Sequence, residues 1–199
     1  MAKVSKQFYD TNIFVVQPQR GESKESKRYW DILNPGGVEL AKMYHKQESL
    51  WIRFLRKINF SAQYAADIVI EDLSGVPLLG FRKDFSFSYF KARAKDQECR
   101  LGTITEEKMG LSGRRYILRD PEGKLLGHLE GDWKAYSLQL KDARGANIGK
   151  ISRKADGVNP VVFTEKSAYY VIHLYIDQDD YRWRKFLLGT SAAVALLLR

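Results

Sequence analysis

The sequence predicts a mainly β fold: a closed antiparallel barrel of about twelve short strands enclosing a C-terminal apolar α-helix. Three observations lead there. A strand–turn–strand unit built on Asp-x-x-Gly recurs through the middle of the chain. Between and after the copies, aromatic and β-branched residues recur at period two. The chain then closes on thirteen uncharged residues, 186–198, that read Phe-Leu-Leu-Gly-Thr-Ser-Ala-Ala-Val-Ala-Leu-Leu-Leu. A helix needs ~20 apolar residues to cross a bilayer, so this run is short for an anchor. A helix that is apolar all round is buried in protein. A barrel of about a dozen strands is wider inside than its own side chains can fill, so such a helix suits its lumen.

Taken in order, residues 1–12 form a polar lead-in and Ile13-Phe14-Val15-Val16 a first short strand. Residues 17–28 carry glycine and serine among charges and read as a loop. Tyr29-Trp30-Asp31-Ile32-Leu33 runs into Asn34-Pro35-Gly36-Gly37, a strong turn signal. In residues 51–58, Trp51, Phe54 and Leu55 stand against Arg53, Arg56 and Lys57, and both helix and strand fit them.

From Ala66 onward the unit repeats. Ile68-Val69-Ile70-Glu71-Asp72-Leu73-Ser74-Gly75 precedes Leu78-Leu79-Gly80-Phe81. Tyr116-Ile117-Leu118-Arg119-Asp120-Pro121-Glu122-Gly123 precedes Leu125-Leu126-Gly127-His128. Leu138-Gln139-Leu140-Lys141-Asp142-Ala143-Arg144-Gly145 precedes Asn147-Ile148-Gly149-Lys150. A worn copy stands at Asp96, so the aspartates Asp72, Asp96, Asp120 and Asp142 are 24, 24 and 22 residues apart. Asp31, with Gly36 and Gly37, reads as an earlier member. In each unit the Asp side chain bonds turn N–H groups, and glycine three residues on supplies the positive φ of the reversal. Repeated hairpins make a meander. Phe85, Phe87, Tyr89 and Phe90, then Gly131-Asp132-Trp133 and Tyr136, Val161-Val162-Phe163 and residues 169–176 supply further strands. The expected organisation is a lead-in over residues 1–27 containing one strand, then a single barrel domain over 28–199 with its central helix at about 184–198.

Composition narrows the setting. The chain has 199 residues, 44% hydrophobic and 29% charged, enough for one sizeable core. Its net charge of +9 divides as +5, +1 and +3 over residues 1–60, 61–120 and 121–199, so no separate basic tail exists. Spread positive charge suits an anionic membrane face, nucleic acid or an acidic protein. Cys99 is the single cysteine, which excludes an internal disulfide and a cysteine metal cluster and fits a reducing compartment. The first ten residues hold no signal-peptide core and no acceptor glycine for myristate. The expected location is cytoplasmic, including a peripheral position on the cytosolic face of a membrane.

Enzyme chemistry finds little footing. His45, His128 and His173 lack metal-ligand spacing, and the chain has no nucleophile elbow, Walker loop or dinucleotide fingerprint. The carboxylates fall in turns and loops rather than as an acid/base pair. We therefore expect no bond-making or bond-breaking site, no catalytic residue, no metal and no cofactor. The basic groups are more informative: Arg53-Phe54-Leu55-Arg56-Lys57, Lys91-Ala92-Arg93-Ala94-Lys95 and Arg182-Trp183-Arg184-Lys185 mix cations with apolar residues. Each cation beside anionic lipid is worth ~1 kcal/mol, and Trp51 and Trp183 suit the headgroup level. The expected lipid contacts are Arg53, Arg56, Lys57, Arg182, Trp183, Arg184 and Lys185. Solvated strand edges guarded by lysine and arginine are the plain alternative.

Repeated Asp-x-x-Gly hairpins followed by a C-terminal hydrophobic helix resemble the tubby-like superfamily, in which a closed twelve-stranded barrel surrounds a central helix. Gly149-Lys150-Ile151-Ser152, Gly157, Phe163-Thr164, the acidic group Asp177, Asp179 and Asp180, and Leu188-Gly189 resemble the phospholipid scramblases. Gly131-Asp132-Trp133, the segment from Tyr116 through Gly123, and Ile151-Ser152-Arg153-Lys154 are similar to the LURP-one-related proteins. The resemblance runs from about residue 28 to the end. It implies anionic phospholipid as partner and, from the scramblases, transbilayer lipid movement and calcium. The matching calcium segment departs from that pattern: Glu165-Lys166-Ser167 stands where scramblases carry Asp-Ala-Asp, keeping one carboxylate and adding a cation. Two functions follow. One is a scramblase-related, membrane-associated protein that binds anionic phospholipid; the other is a soluble LURP-one-like binding or regulatory protein recognising a protein or nucleic acid.

Overall fold

The computed structural model describes residues 8, 10–18, 29–46, 66–83, 90–109, 113–132, 137–152, 169–175 and 181–197. Within them lie twelve strands and one long helix. The strands are β1 (Ile13–Pro18), β2 (Tyr29–Leu33), β3 (Glu39–His45), β4 (Ala66–Glu71), β5 (Pro77–Lys83) and β6 (Lys91–Lys95), followed by β7 (Arg100–Met109), β8 (Gly113–Arg119), β9 (Leu125–Asp132), β10 (Ser137–Asp142), β11 (Asn147–Ser152) and β12 (Tyr170–Leu174). The helix α1 spans Tyr181–Leu197. Every strand pairs antiparallel with its neighbours in sequence, and β1 closes the barrel against β12. Closure leaves no edge for aggregation. The fold is thus the expected closed twelve-stranded barrel with a C-terminal helix.

The expected boundary at residue 28 moves. Val15 pairs with Val171 of β12 on one side and with Leu33 of β2 on the other, so β1 belongs to the barrel wall. Without it the sheet could not close. The strand readings at residues 51–58, 84–89, 133–136 and 161–163 lie outside the described residues.

The hairpins share one turn. In the Asp72 unit the Gly75 N–H donates to the Asp72 carbonyl at 3.0 Å, and the Asp72 N–H donates to the Val76 carbonyl at 2.9 Å. The same pair of bonds recurs at Asp120 with Gly123 and at Asp142 with Gly145. Gly75, Gly123 and Gly145 have φ of 83°, 89° and 85°. This is a type I turn followed by a left-handed glycine, the three-residue hairpin loop with its bulge. The register shifts beside each turn, at Ile70/Glu71, Leu118/Arg119 and Leu140/Lys141, are those bulges.

The earlier member is anchored differently from the expectation. Asn34, rather than Asp31, takes the aspartate's place: its Oδ1 accepts the Val38 N–H at 2.9 Å, and Gly37 has φ 84°. The amide oxygen of asparagine accepts such a bond as a carboxylate does. Asp31 sits within β2, where burial first and then Glu39 push its carboxyl above the ordinary value against the pull of Lys42. At the worn copy, Asp96 Oδ1 accepts N–H groups of Glu98 and Cys99 at 2.9 and 2.8 Å.

Alternation sends one face of each strand inward. Phe14, Ile32, Met43, Ile70, Phe81, Ile104, Leu118, Leu140 and Ile172 join Phe186, Leu187, Leu188, Ala192, Ala193 and Val194 of α1 in one core cluster. Residues 186–194 are all buried, so the helix meets wall on every side. The closest approach is at Gly189, where an added Cβ would stand 2.5 Å from Phe81 Cε2 and 3.1 Å from Leu79 Cδ1. Only glycine admits that contact.

Candidate functional site: the basic wall and the basic collar

The three basic groups of the sequence reach different fates. Arg53, Arg56 and Lys57 lie outside the described residues. The group at the start of α1 is a collar that ties the helix to the barrel. Arg182 Nη2 donates to the Arg100 carbonyl at 2.8 Å, Lys185 Nζ meets Asp96 Oδ2 at 3.3 Å, and Arg184 Nη2 donates to the Thr11 carbonyl. These partners belong to β7, to the β6–β7 turn and to the residues ahead of β1. Helix geometry explains the divergence, since at about 100° per residue four consecutive side chains fan out through about 300°.

Arg184 is 1% exposed. Its expected lipid contact is therefore corrected: the guanidinium is spent inside, on a backbone carbonyl. Trp183 is partly buried against the core, its ring centroid 5.9 Å from that of Phe186. Lys185 is half-buried against Asp96, and only Arg182 of the four is exposed. Three cations at a helix N-terminus oppose its dipole by ~0.3–1 kcal/mol each, and the first turn holds no acid. The carbonyls and the Asp96 carboxylate offset that opposition. Burial works against charge on Asp96, yet the N–H groups of Cys99 and Glu98, together with Lys185, outweigh it and hold the carboxyl below its ordinary value.

The third group lies on the outside. Along β6, Lys91, Arg93 and Lys95 are exposed while Ala92 and Ala94 face the core. Period-two alternation puts the three cations on one face, ~7 Å apart. Register adds a fourth that no local motif reveals: Arg82 of β5, exposed, stands directly opposite Arg93. Like charges directly opposite destabilise a sheet. No acid stands on either strand; the neighbours of this face are Asp67, paired with Arg82, and Thr103 and Thr105, paired with Arg93 and Lys91.

Beyond β7, the wall of β8–β10 gathers its charges around one carboxylate. Glu130 of β9 receives Arg115 Nε and Nη2, each at 2.9 Å, and Lys141 Nζ at 2.6 Å, with His128 Nε2 at 3.4 Å. The Lys141 bond leads in holding the Glu130 carboxyl below its ordinary value, and burial pushes His128 down. Charge on β8–β10 thus centres on Glu130, while β5–β6 presents four exposed cations on one face.

The barrel's lining is mainly apolar, with Lys83 and Arg184 buried among it, whereas an outer-membrane barrel has a polar interior. No described helix is long and apolar enough to cross a membrane. Among the described residues, no three His, Cys, Asp or Glu side chains gather where they could hold a metal ion.

These features define a class by architecture: a twelve-stranded meander barrel filled by its C-terminal helix and carrying one cation-rich wall. Comparison with family models, with curated proteins and with solved structures finds no match for this chain.

Proposed function

We propose that this chain is a peripheral membrane protein of the tubby-like, scramblase-related kind, which binds anionic phospholipid through the outer face of β5 and β6. The observation that supports it is the set Arg82, Lys91, Arg93 and Lys95, all exposed on one face of neighbouring strands. Four cations at ~1 kcal/mol each come to about 4 kcal/mol, roughly a thousandfold in partition. The buried helix serves as the barrel's core, and the working surface is the wall outside it.

Co-sedimentation with phosphatidylserine-rich vesicles at moderate salt tests this. The variant R82E/K91E/R93E/K95E, all at exposed positions, should stay folded and lose binding. Full retention of binding by that variant removes the wall from the account. Failure of the unaltered protein to bind any anionic vesicle sinks the lipid reading and favours the LURP-one-like one, a soluble protein recognising a protein or nucleic acid. Lipid movement between leaflets has its own readout, dithionite quenching of labelled lipid in reconstituted vesicles.

A further inference from the structure

Just ahead of β1 the chain makes contacts that closure of the sheet does not require. Phe8 is fully buried and joins the same core cluster as the lumen side chains, its ring centroid 5.7 Å from that of Phe14 at 60°. Asp10 and Asn12 are exposed and Thr11 is half-buried. None of the four belongs to a strand. Two carbonyls tie them to the barrel: that of Thr11 accepts from Arg184 Nη2, and that of Asn12 accepts the Leu174 N–H at 2.8 Å. Ile13 pairs with His173 near the end of β12, and Arg184 stands in the first turns of α1. Phe8 and residues 10–12 therefore lie at the mouth through which the helix enters.

We infer that Phe8 and residues 10–12 form a hinged strap over this mouth, with Phe8 as its plug, the Thr11 carbonyl as its catch on Arg184, and Asn12 as its hinge on the wall. The hydrogen bonds that close the barrel run from strand to strand around the ring, so lifting the strap leaves them in place. A segment held by one buried side chain and a few bonds opens at lower free energy than the whole fold. Lifting it uncovers the apolar core at Phe14 and takes an acceptor from a guanidinium that is 1% exposed. A buried charge depends on its polar partners, and a cation at a helix N-terminus already opposes the dipole. Strap and first helical turn thus stabilise each other, and by linkage whatever loosens one loosens the other. The strap controls access to this end of the lumen whether or not the outer wall meets lipid.

Two neighbouring amides report on it. The Leu174 N–H donates to Asn12 of the strap, and the Tyr175 N–H donates to the Ile148 carbonyl of the wall, both at 2.8 Å. Their hydrogen exchange is followed by NMR on the full isotope-labelled chain, unaltered and as Phe8→Ala or Arg184→Met. Phe8→Ala should speed exchange at Leu174 about a hundredfold and Arg184→Met about tenfold, with Tyr175 unchanged in both. Equal acceleration of the two amides makes Phe8 an ordinary part of the global core and overturns the strap. Acceleration of neither means that the strand end frays without it, and also overturns it. Acceleration by Phe8→Ala alone overturns the catch and its coupling to α1. The unaltered chain carries a test that needs no variant: in low urea, exchange at Leu174 should be flat while exchange at Tyr175 rises with the global slope. A shared slope at both amides overturns the inference.

Discussion

At Asp72 a single carboxylate holds a hairpin. Its Oδ1 accepts the Ser74 N–H at 2.9 Å, the Ser74 hydroxyl at 2.7 Å and the Val76 N–H at 2.9 Å, while the residue is only 3% exposed. The Ser74 hydroxyl leads in holding its pKa below the ordinary value, against burial. Asp72→Ala should cost about 2 kcal/mol in urea unfolding, since it removes bonds to a charged acceptor and leaves N–H donors behind. The pH dependence has a definite sign. A depressed folded pKa gives stability that is fully present above the unfolded value, near 3.9, and lost as pH falls through the folded pKa. Stability measured from pH 5 downward (~5 to ~2) should therefore fall less steeply for Asp72→Asn than for the unaltered chain. Equal slopes would mean that this carboxylate contributes nothing in its charged form.

At the scale of elements, what the sequence reveals depends on whether chemistry and geometry coincide. The Asp-x-x-Gly hairpins were legible because turn residues act locally, through bonds two to four positions away. Asp31 misleads for the same reason. Aspartate is the commoner anchor elsewhere in this chain, but at this turn Asn34 stands three residues before the left-handed Gly37 and does the work. The two described basic groups show the other limit. Lys91-Ala92-Arg93-Ala94-Lys95 alternates, and alternation on a strand means one face. Arg182-Trp183-Arg184-Lys185 is consecutive on a helix, so its members must diverge, and Arg184 turns inward. Arg82 was not legible, because only register brings it opposite Arg93. The helix–wall contact gives a further prediction. Gly189→Val drives methyl groups into Phe81 and Leu79 and should lower stability by about 1–3 kcal/mol or more. A urea midpoint within error of the unaltered chain would show that the lumen is looser there than the structure describes.

For the whole molecule, four exposed cations gather on the β5–β6 wall while the apolar core lies in the lumen around the helix. On the proposed lipid reading, such a surface should bind anionic vesicles in a salt-dependent manner. Binding through the β5–β6 wall should weaken steeply as ionic strength rises past ~0.1 M, where the Debye length is ~10 Å. Binding unchanged by salt would leave the exposed cations without a part. The C-terminal helix gives the most direct test, because it resembles an anchor in sequence and is an internal pillar in the fold. Val194 is 1% exposed in the apolar core of the barrel, and moving a carboxylate from water to such a place is strongly unfavourable. The decisive measurement is near-ultraviolet circular dichroism of Val194→Asp beside its vesicle co-sedimentation. Loss of the native aromatic signal is the predicted result; a variant that keeps a native spectrum and loses only its membrane binding would contradict the account and restore the helix as an anchor.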